Sequence, residues 1–211
     1  QVRGFLMTIT VLVLIVFFSI RTVFPQHWEQ SLREALFNIT SIISGTGFAS
    51  VDYMAWGPFP VALFFFTGLI GGCAGSTACS IKIFRYQLLF ASIRAQLRRI
   101  RSPNGIFTPR YDGRAISGDV MISVMSFFMF FTLTLGLVAV ALSMTGLDFV
   151  TSISGAGAAL GNIGPGLGHI IGPAGNFSTL NDTAKWILTA AMLIGRLELM
   201  AVYGWLCASD R

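Results

Sequence analysis

Apolar residues run through this chain in long blocks, and charged residues gather at the block ends. Gly4 to Ile20 holds no charge and lies between Arg3 and Arg21. Tyr53 to Ile81, Val120 to Leu147 and Phe149 to Asn181 are equally free of Lys, Arg, Asp and Glu. A last apolar stretch follows Lys185 and is interrupted by Arg196 and Glu198. A helix that crosses a bilayer takes about 20 mostly apolar residues at about 1.5 Å of rise each. The pattern predicts spans near 4–24, 57–81, 119–143 and 184–206. A secretory signal is the rival reading of the first window, but its core exceeds the usual ~7–15 residues and no A-x-A cleavage site follows.

Two stretches do not fit simple spans. Ser31 to Phe48, SLREALFNITSIISGTGF, is amphipathic and ends in glycines. Asp148 to Gly168, DFVTSISGAGAALGNIGPGLG, carries glycines at 155, 157, 161, 164, 166 and 168 together with Pro165. Each Gly costs a helix up to about 1 kcal/mol and a Pro about 3. Beyond Asp148 no charge holds this stretch in water, and irregular backbone at membrane depth is tolerated only where it lines a cavity or is buried in protein. A re-entrant loop meets both conditions, with a short helix dipping in and an extended segment returning.

Both stretches follow one plan. Gly47 and Gly164 stand 117 residues apart, and the same shift carries 4–24 onto 121–141. Each half reads span, re-entrant helix, glycine loop, span, although residue identity between the halves is weak. Glycine lets a carbonyl turn towards a shared axis because φ > 0 costs it nothing. Rings of carbonyls replace the water shell of an alkali cation in channel filters, and a helix C-terminus aimed at the same spot adds about half a negative charge. Thr46, Gly47, Asn162, Ile163 and Gly164 stand where such carbonyls are expected. Gly155, Gly157 and Gly161 brush against a dinucleotide-binding fingerprint, but that motif needs a preceding strand and a following helix, which Pro165 breaks. Close helix packing by small residues is the plainer reading of a glycine in lipid and suits Gly68 and Gly136.

The second span runs into Gly71–Gly72–Cys73–Ala74–Gly75–Ser76–Thr77–Ala78–Cys79–Ser80. Small and hydroxyl-bearing residues in such density predict a break or flexible loop inside the membrane, with a tightly packed helix as the alternative. Cys73 and Cys79 read as reduced packing residues. Arg196 within the last span costs at least about 2.5 kcal/mol unless it faces a water-filled path or a partner. At i and i+2, Arg196 and Glu198 point to different faces, so Arg196 is expected towards a permeation path and Glu198 towards another partner.

Composition narrows the class. Hydrophobic residues make up 54% of the chain and charged ones 11%, with a mean hydropathy of +0.74. A soluble domain carries about 25% charged residues. Disorder needs the opposite composition. Three cysteines and two distant histidines, His27 and His169, provide neither a disulfide framework nor a metal site. No Ser–His–Asp set or acidic cluster offers a membrane-embedded enzyme its catalytic groups. Eight of the 14 basic residues fall in 82–118, whereas 168–182 holds no Lys or Arg. Positive loops stay inside, so 82–118 is expected to be cytoplasmic and 168–182 external. Binding of nucleic acid or anionic lipid is the second reading of that basic run.

Four strings, SGTGF (44–48), GGCAGSTACSIKIFR (71–85), GNIGPGLG (161–168) and GRLELM (195–200), carry a family resemblance. The sequence resembles the membrane subunit of the Trk/Ktr/HKT superfamily of potassium transporters, most closely the bacterial TrkH-like proteins. The resemblance implies an all-α polytopic protein of the cell inner membrane. Its pore is built from four membrane helix–pore loop–membrane helix repeats, of which residues 1–114 and 115–211 would be the third and fourth. Gly47 and Gly164 become filter glycines, flanked by Ser44, Gly45, Thr46 and Phe48 in one loop and by Gly161, Asn162, Ile163 and Pro165 in the other. Gly71, Gly72, Gly75, Ser76 and Thr77, with Lys82 beyond them, become the intramembrane gate, and Arg196 stands opposite it.

The same resemblance implies K⁺ uptake without covalent chemistry or a cofactor, a homodimer, and a cytosolic nucleotide-binding regulatory subunit of the TrkA type. The bilayer is the other partner, and nucleic acid is not one. Ser44 and Gly45 stand where the family usually has threonines, and Cys79 and Ser80 where it often has two glycines. Transport of Na⁺ or mixed monovalent cations, and a non-conducting structural half-subunit, are the alternatives. Two filter strands do not close a pore, so either the chain is a C-terminal piece lacking two repeats or two chains assemble to make one; Gln1 in place of Met favours the piece.

Overall fold

The computed structural model describes residues 2–24, 27–76, 78–102, 105, 107–111 and 113–197. The first charge-free window forms α1, Val2–Val23. Val13, Val16 and Ile20 face inward at helical spacing, while Met7, Leu14 and Phe18 are exposed. The third window forms α5, Gly118–Ser143, which buries Val124, Phe127 and Phe131 and exposes Met129, Leu133 and Leu137. Both helices are long and apolar enough to cross a membrane, with window hydropathies of 2.3 and 2.2. Large apolar side chains on such outward faces, without charges among them, suit hydrocarbon rather than water.

Short helices lie between the long ones. After α1 comes α2, Trp28–Ser44, and after α5 comes α6, Phe149–Gly161. α2 buries one face, whereas α6 is buried on all sides from Ser154 to Gly161. A first core joins α1, α2 and the following α3, Pro58–Leu69, around Val16, Ile39 and Phe64. A second joins α5, α6 and α7, Asp182–Arg196, around Phe131, Leu160 and Leu188. The halves interpenetrate: Ile163 and Leu167 enter the first core, and Ile81 enters the second.

The apolar block read as span 57–81 is helical only as far as Leu69. Gly57, at φ +103, and Pro58 at the first turn start α3, and its 12 residues cover about 18 Å, too little to cross a bilayer. The chain then leaves the helix through β1, Ile70–Gly71, and returns through β2, Ile81–Lys82, which pairs with it in parallel. Residues 72–76 and 78–80 lie in a loop pinched at its neck. Thr77 lies outside the described residues.

The basic connector holds more structure than its charges suggested. Most of it is α4, Ile83–Arg101, followed by the antiparallel pair β3, Arg110–Tyr111, and β4, Arg114–Ala115. These two strand pairs are additions to an otherwise helical chain. The Arg85 guanidinium sits 3.6 Å from the centre of the Phe127 ring and fastens α4 to α5. Residues 198–206 of the last expected span, Glu198 among them, lie outside the described residues.

Candidate ion-binding site

The two short helices end in the same way. Gly45 caps α2 at φ +75, with its N–H on Ile42 O and the Thr46 N–H on Ser41 O at 3.0 Å. Asn162 caps α6 at φ +50, with its N–H on Ala159 O and the Ile163 N–H on Ala158 O at 3.0 Å. Each is a Schellman turn, and each residue has its counterpart 117 positions along the chain. A second left-handed residue follows two places later, Gly47 at φ +73 and Gly164 at φ +110. Positive and negative φ therefore alternate through 45–48 and again through 162–165. Asn162 is the only non-glycine with positive φ among the described residues.

The loops meet each other. A Cβ on Gly47 would overlap the carbonyl oxygen of Ile163 and lie 3.1 Å from the Pro165 ring. A Cβ on Gly164 would lie 3.9 Å from the Gly47 Cα, and one on Gly45 3.9 Å from the Asn162 carbonyl oxygen. Ser44, Thr46, Phe48 and Gly164 are exposed, whereas Gly161 and Ile163 are buried beneath them. A cavity of about 490 Å³ opens beside the loops, lined by Gly45, Thr46, Asn162 and Gly164 and, from α7, by Lys185 and Met192. Lys185 Nζ lies 3.5 Å from Asp182.

Two buried polar side chains hold the returning segments. Asn38 is fully buried in α2; its Nδ2 donates to Ser50 Oγ at 2.8 Å, and its Oδ1 accepts from the Ser50 N–H at 3.1 Å. Ser154, buried in α6, plays the same part: its Oγ accepts from the Leu167 N–H at 2.9 Å and donates to Leu167 O at 3.1 Å. A polar side chain inside a buried stretch of helix is the available signal, because such a group is retained only when it finds partners. Asn162 adds a third tie, its Nδ2 donating to Met192 O at 3.1 Å. At the start of α6, Asp148 Oδ2 accepts from the Thr151 N–H at 3.1 Å. Hydrogen bonds from the Thr151 side chain and then from backbone amides hold this carboxyl below the usual carboxylate range.

Four of the six glycines of 148–168 divide between two jobs. Gly155 and Gly157 lie within α6, where a Cβ would come 3.1 Å from Ile171 and 3.3 Å from Phe65, so they pack rather than bend. Gly68 packs in the same manner on Ile163, but Gly136 faces open space and makes no close contact. Turning of the backbone falls to Gly164 and Gly168, both at positive φ.

Beneath the loops lies the 72–80 segment. Ser80 Oγ, buried, donates to Gly68 O at 2.7 Å, and the Ile83 N–H donates to Gly72 O at 3.1 Å. Gly71 and Gly72 lie too close to Ser80 and Ser76 to carry a side chain, and Gly75 turns at φ +88. Lys82 caps α4 at the neck. Arg196, at the end of α7, reaches this loop, with its Nη1 3.3 Å from Cys79 Sγ. Among the described residues no three His, Cys, Asp or Glu side chains come together.

Known proteins share this fold. The crystal structure of the potassium transporter TrkH from Vibrio parahaemolyticus superposes with a TM-score of 0.89 at 32% identity, over 97% of this chain and 43% of that one. The Trk system potassium uptake protein TrkI of Halomonas elongata is 46% identical over 172 residues, 82% of this chain and 35% of its own length. TrkH of Escherichia coli K12 is 34% identical over 172 residues, again 35% of its length. The chain thus spans about a third of the curated relatives it matches. The family model for TrkH, a cation transport protein, matches residues 5–204. With its apolar helices, its paired glycine loops and a match over nearly its whole length, the chain belongs to the TrkH family of membrane cation transporters.

Proposed function

We propose that this chain supplies two of the four repeats of a potassium uptake pore in the cytoplasmic membrane. On this reading residues 1–114 and 115–211 are the repeats, and the loops 44–48 and 161–165 are their filter strands. The carbonyl groups of Thr46, Gly47, Asn162, Ile163 and Gly164 coordinate the ion.

One observation carries the proposal: the loops, 117 residues apart in sequence, lie against each other with the same caps and the same alternation of φ. Alternating signs of φ turn successive peptide planes so that their carbonyls can face one side. The C-termini of α2 and α6 both run into these loops, and their dipoles favour a cation there. A carbonyl cage binds K⁺ without a buried carboxylate, so the transported ion needs no resident metal or cofactor. Closing the ring takes two further strands, from residues outside this chain or from another copy.

The 71–80 segment is the gate on this reading. It folds under the loops, and Arg196 presents a positive charge to it that opposes the passage of cations. Displacing Gly71, Gly72, Gly75, Ser76 and Thr77 opens the path, and Lys82 anchors the hinge. The 82–118 connector faces the cytosol, where a TrkA-type nucleotide-binding subunit docks, and 168–182 faces outside. The membrane subunits pair as homodimers, and the protein carries out no covalent chemistry.

Rubidium and potassium uptake into cells stripped of their own transporters, with the whole protein expressed, tests the reading. The unaltered protein restores uptake, and Gly164→Asp abolishes it while still reaching the membrane. Equal uptake by both, or uptake of Na⁺ alone, overturns it.

A further inference from the structure

α4 carries two chemically different faces side by side. Phe90, Ile93, Leu97 and Ile100 are exposed, and their spacing of three, four and three residues lines one helix face. Arg94, Arg98 and Arg101 follow on the next face round. Between α4 and the segment entering β3 lies a cleft of about 440 Å³, into which Arg94, Arg98, Phe107, Thr108 and Arg110 project. Among the described residues no carboxylate lines this cleft, and none of Arg94, Arg98 and Arg110 has an acidic partner.

Three guanidinium groups from two elements repel one another unless an anion sits among them. Guanidinium forks match the oxygens of a phosphate bidentately, and the Thr108 hydroxyl adds a donor. The apolar stripe shares its edge with the cleft, along Arg94 and Arg98. Free phosphate would fill the cleft and leave the stripe bare. A purely apolar partner would cover the stripe and leave the charge unanswered. One class of molecule joins a phosphate to long hydrocarbon, and an interfacial helix presents it with this pairing of faces.

The geometry points to a binding site for an anionic phospholipid, its phosphate held by Arg94, Arg98 and Arg110 and its acyl chains laid along Phe90, Ile93, Leu97 and Ile100. The inference rests on the proposed placement of the 82–118 connector at the cytoplasmic face of the membrane.

Native mass spectrometry of the whole protein in detergent tests it, with phosphatidylglycerol and phosphatidylcholine of the same chain length as probes. The unaltered protein retains phosphatidylglycerol over phosphatidylcholine. The triple variant R94Q/R98Q/R110Q loses that retention by about 100-fold, at about fivefold per arginine. Arg99→Gln, on the far side of α4, retains the lipid. If the triple variant does not fold, Arg98→Gln and Arg110→Gln are read singly, each weaker by about fivefold. Retention by the variants equal to that of the unaltered protein overturns the site. So does displacement of the lipid by an equal concentration of inorganic phosphate, or loss of a bound polypeptide in place of lipid. Potassium uptake by the unaltered protein, measured in parallel, reports failure of the transport reading separately.

Discussion

Gly47 lies so close to the carbonyl oxygen of Ile163 that no side chain fits between them. This contact joins the two halves of the chain at the point where each turns back on itself. It makes position 47 a different problem from position 164, although both are glycines at positive φ.

Gly47→Ala adds an overlap with backbone to the cost of a left-handed non-glycine, and it destabilises the protein by about 3 kcal/mol or more. Gly164→Ala meets only the Gly47 Cα at 3.9 Å and pays the conformational cost alone, about 1–2 kcal/mol. Thermal unfolding in detergent of the two variants gives this order, and the reverse order contradicts the packing described.

Asn162 holds a left-handed conformation and donates to Met192 O. Asn162→Gly removes the hydrogen bond but fits the backbone, at a cost of about 1 kcal/mol. Asn162→Ala loses the bond and strains the backbone, at about 2 kcal/mol. Equal stability of the two variants would show that φ at this cap is not constrained.

Much of the scaffold was legible in the sequence because hydrocarbon imposes a simple code. Unbroken apolar windows announced α1 and α5, and glycines at 47 and 164 announced the turns. α4 is hard to read from the sequence because its arginines read as a topology signal, and its apolar stripe is hidden among them in linear order. Asn38 and Ser154 stand out in the sequence only as single polar residues, and nothing there names Ser50 and Leu167 as their partners. The contact of Gly47 with Ile163 is a long-range relationship, and only folding both halves together produces it.

Ser80 Oγ supplies a donor to the Gly68 carbonyl where α3 breaks and the helical ladder stops. Ser80→Ala leaves that buried oxygen unpaired and costs about 1–3 kcal/mol. Denaturant unfolding measures it, and a change below about 0.5 kcal/mol would mean that the carbonyl is served otherwise.

Tyr53 is buried at 1% exposure and stacks on Phe64 at 4.4 Å, and its hydroxyl has no hydrogen-bond partner among the described residues. Burial, and then the charge of Asp52, push its pKa upward. Tyr53→Phe keeps the stacked ring and sheds an unpaired polar atom, so stability stays level or rises by about 1 kcal/mol. A loss of about 1 kcal/mol or more would reveal a bond that the hydroxyl makes.

The central claim is that main-chain oxygens of the two loops hold the transported ion. Anomalous diffraction from thallium-soaked crystals of the whole protein tests it most directly, since thallium substitutes for potassium and marks its own position. The account predicts a peak bounded by the carbonyls of Thr46 and Gly47 on one side and of Asn162, Ile163 and Gly164 on the other. Thallium bound elsewhere in the protein, with none between those carbonyls, would contradict it.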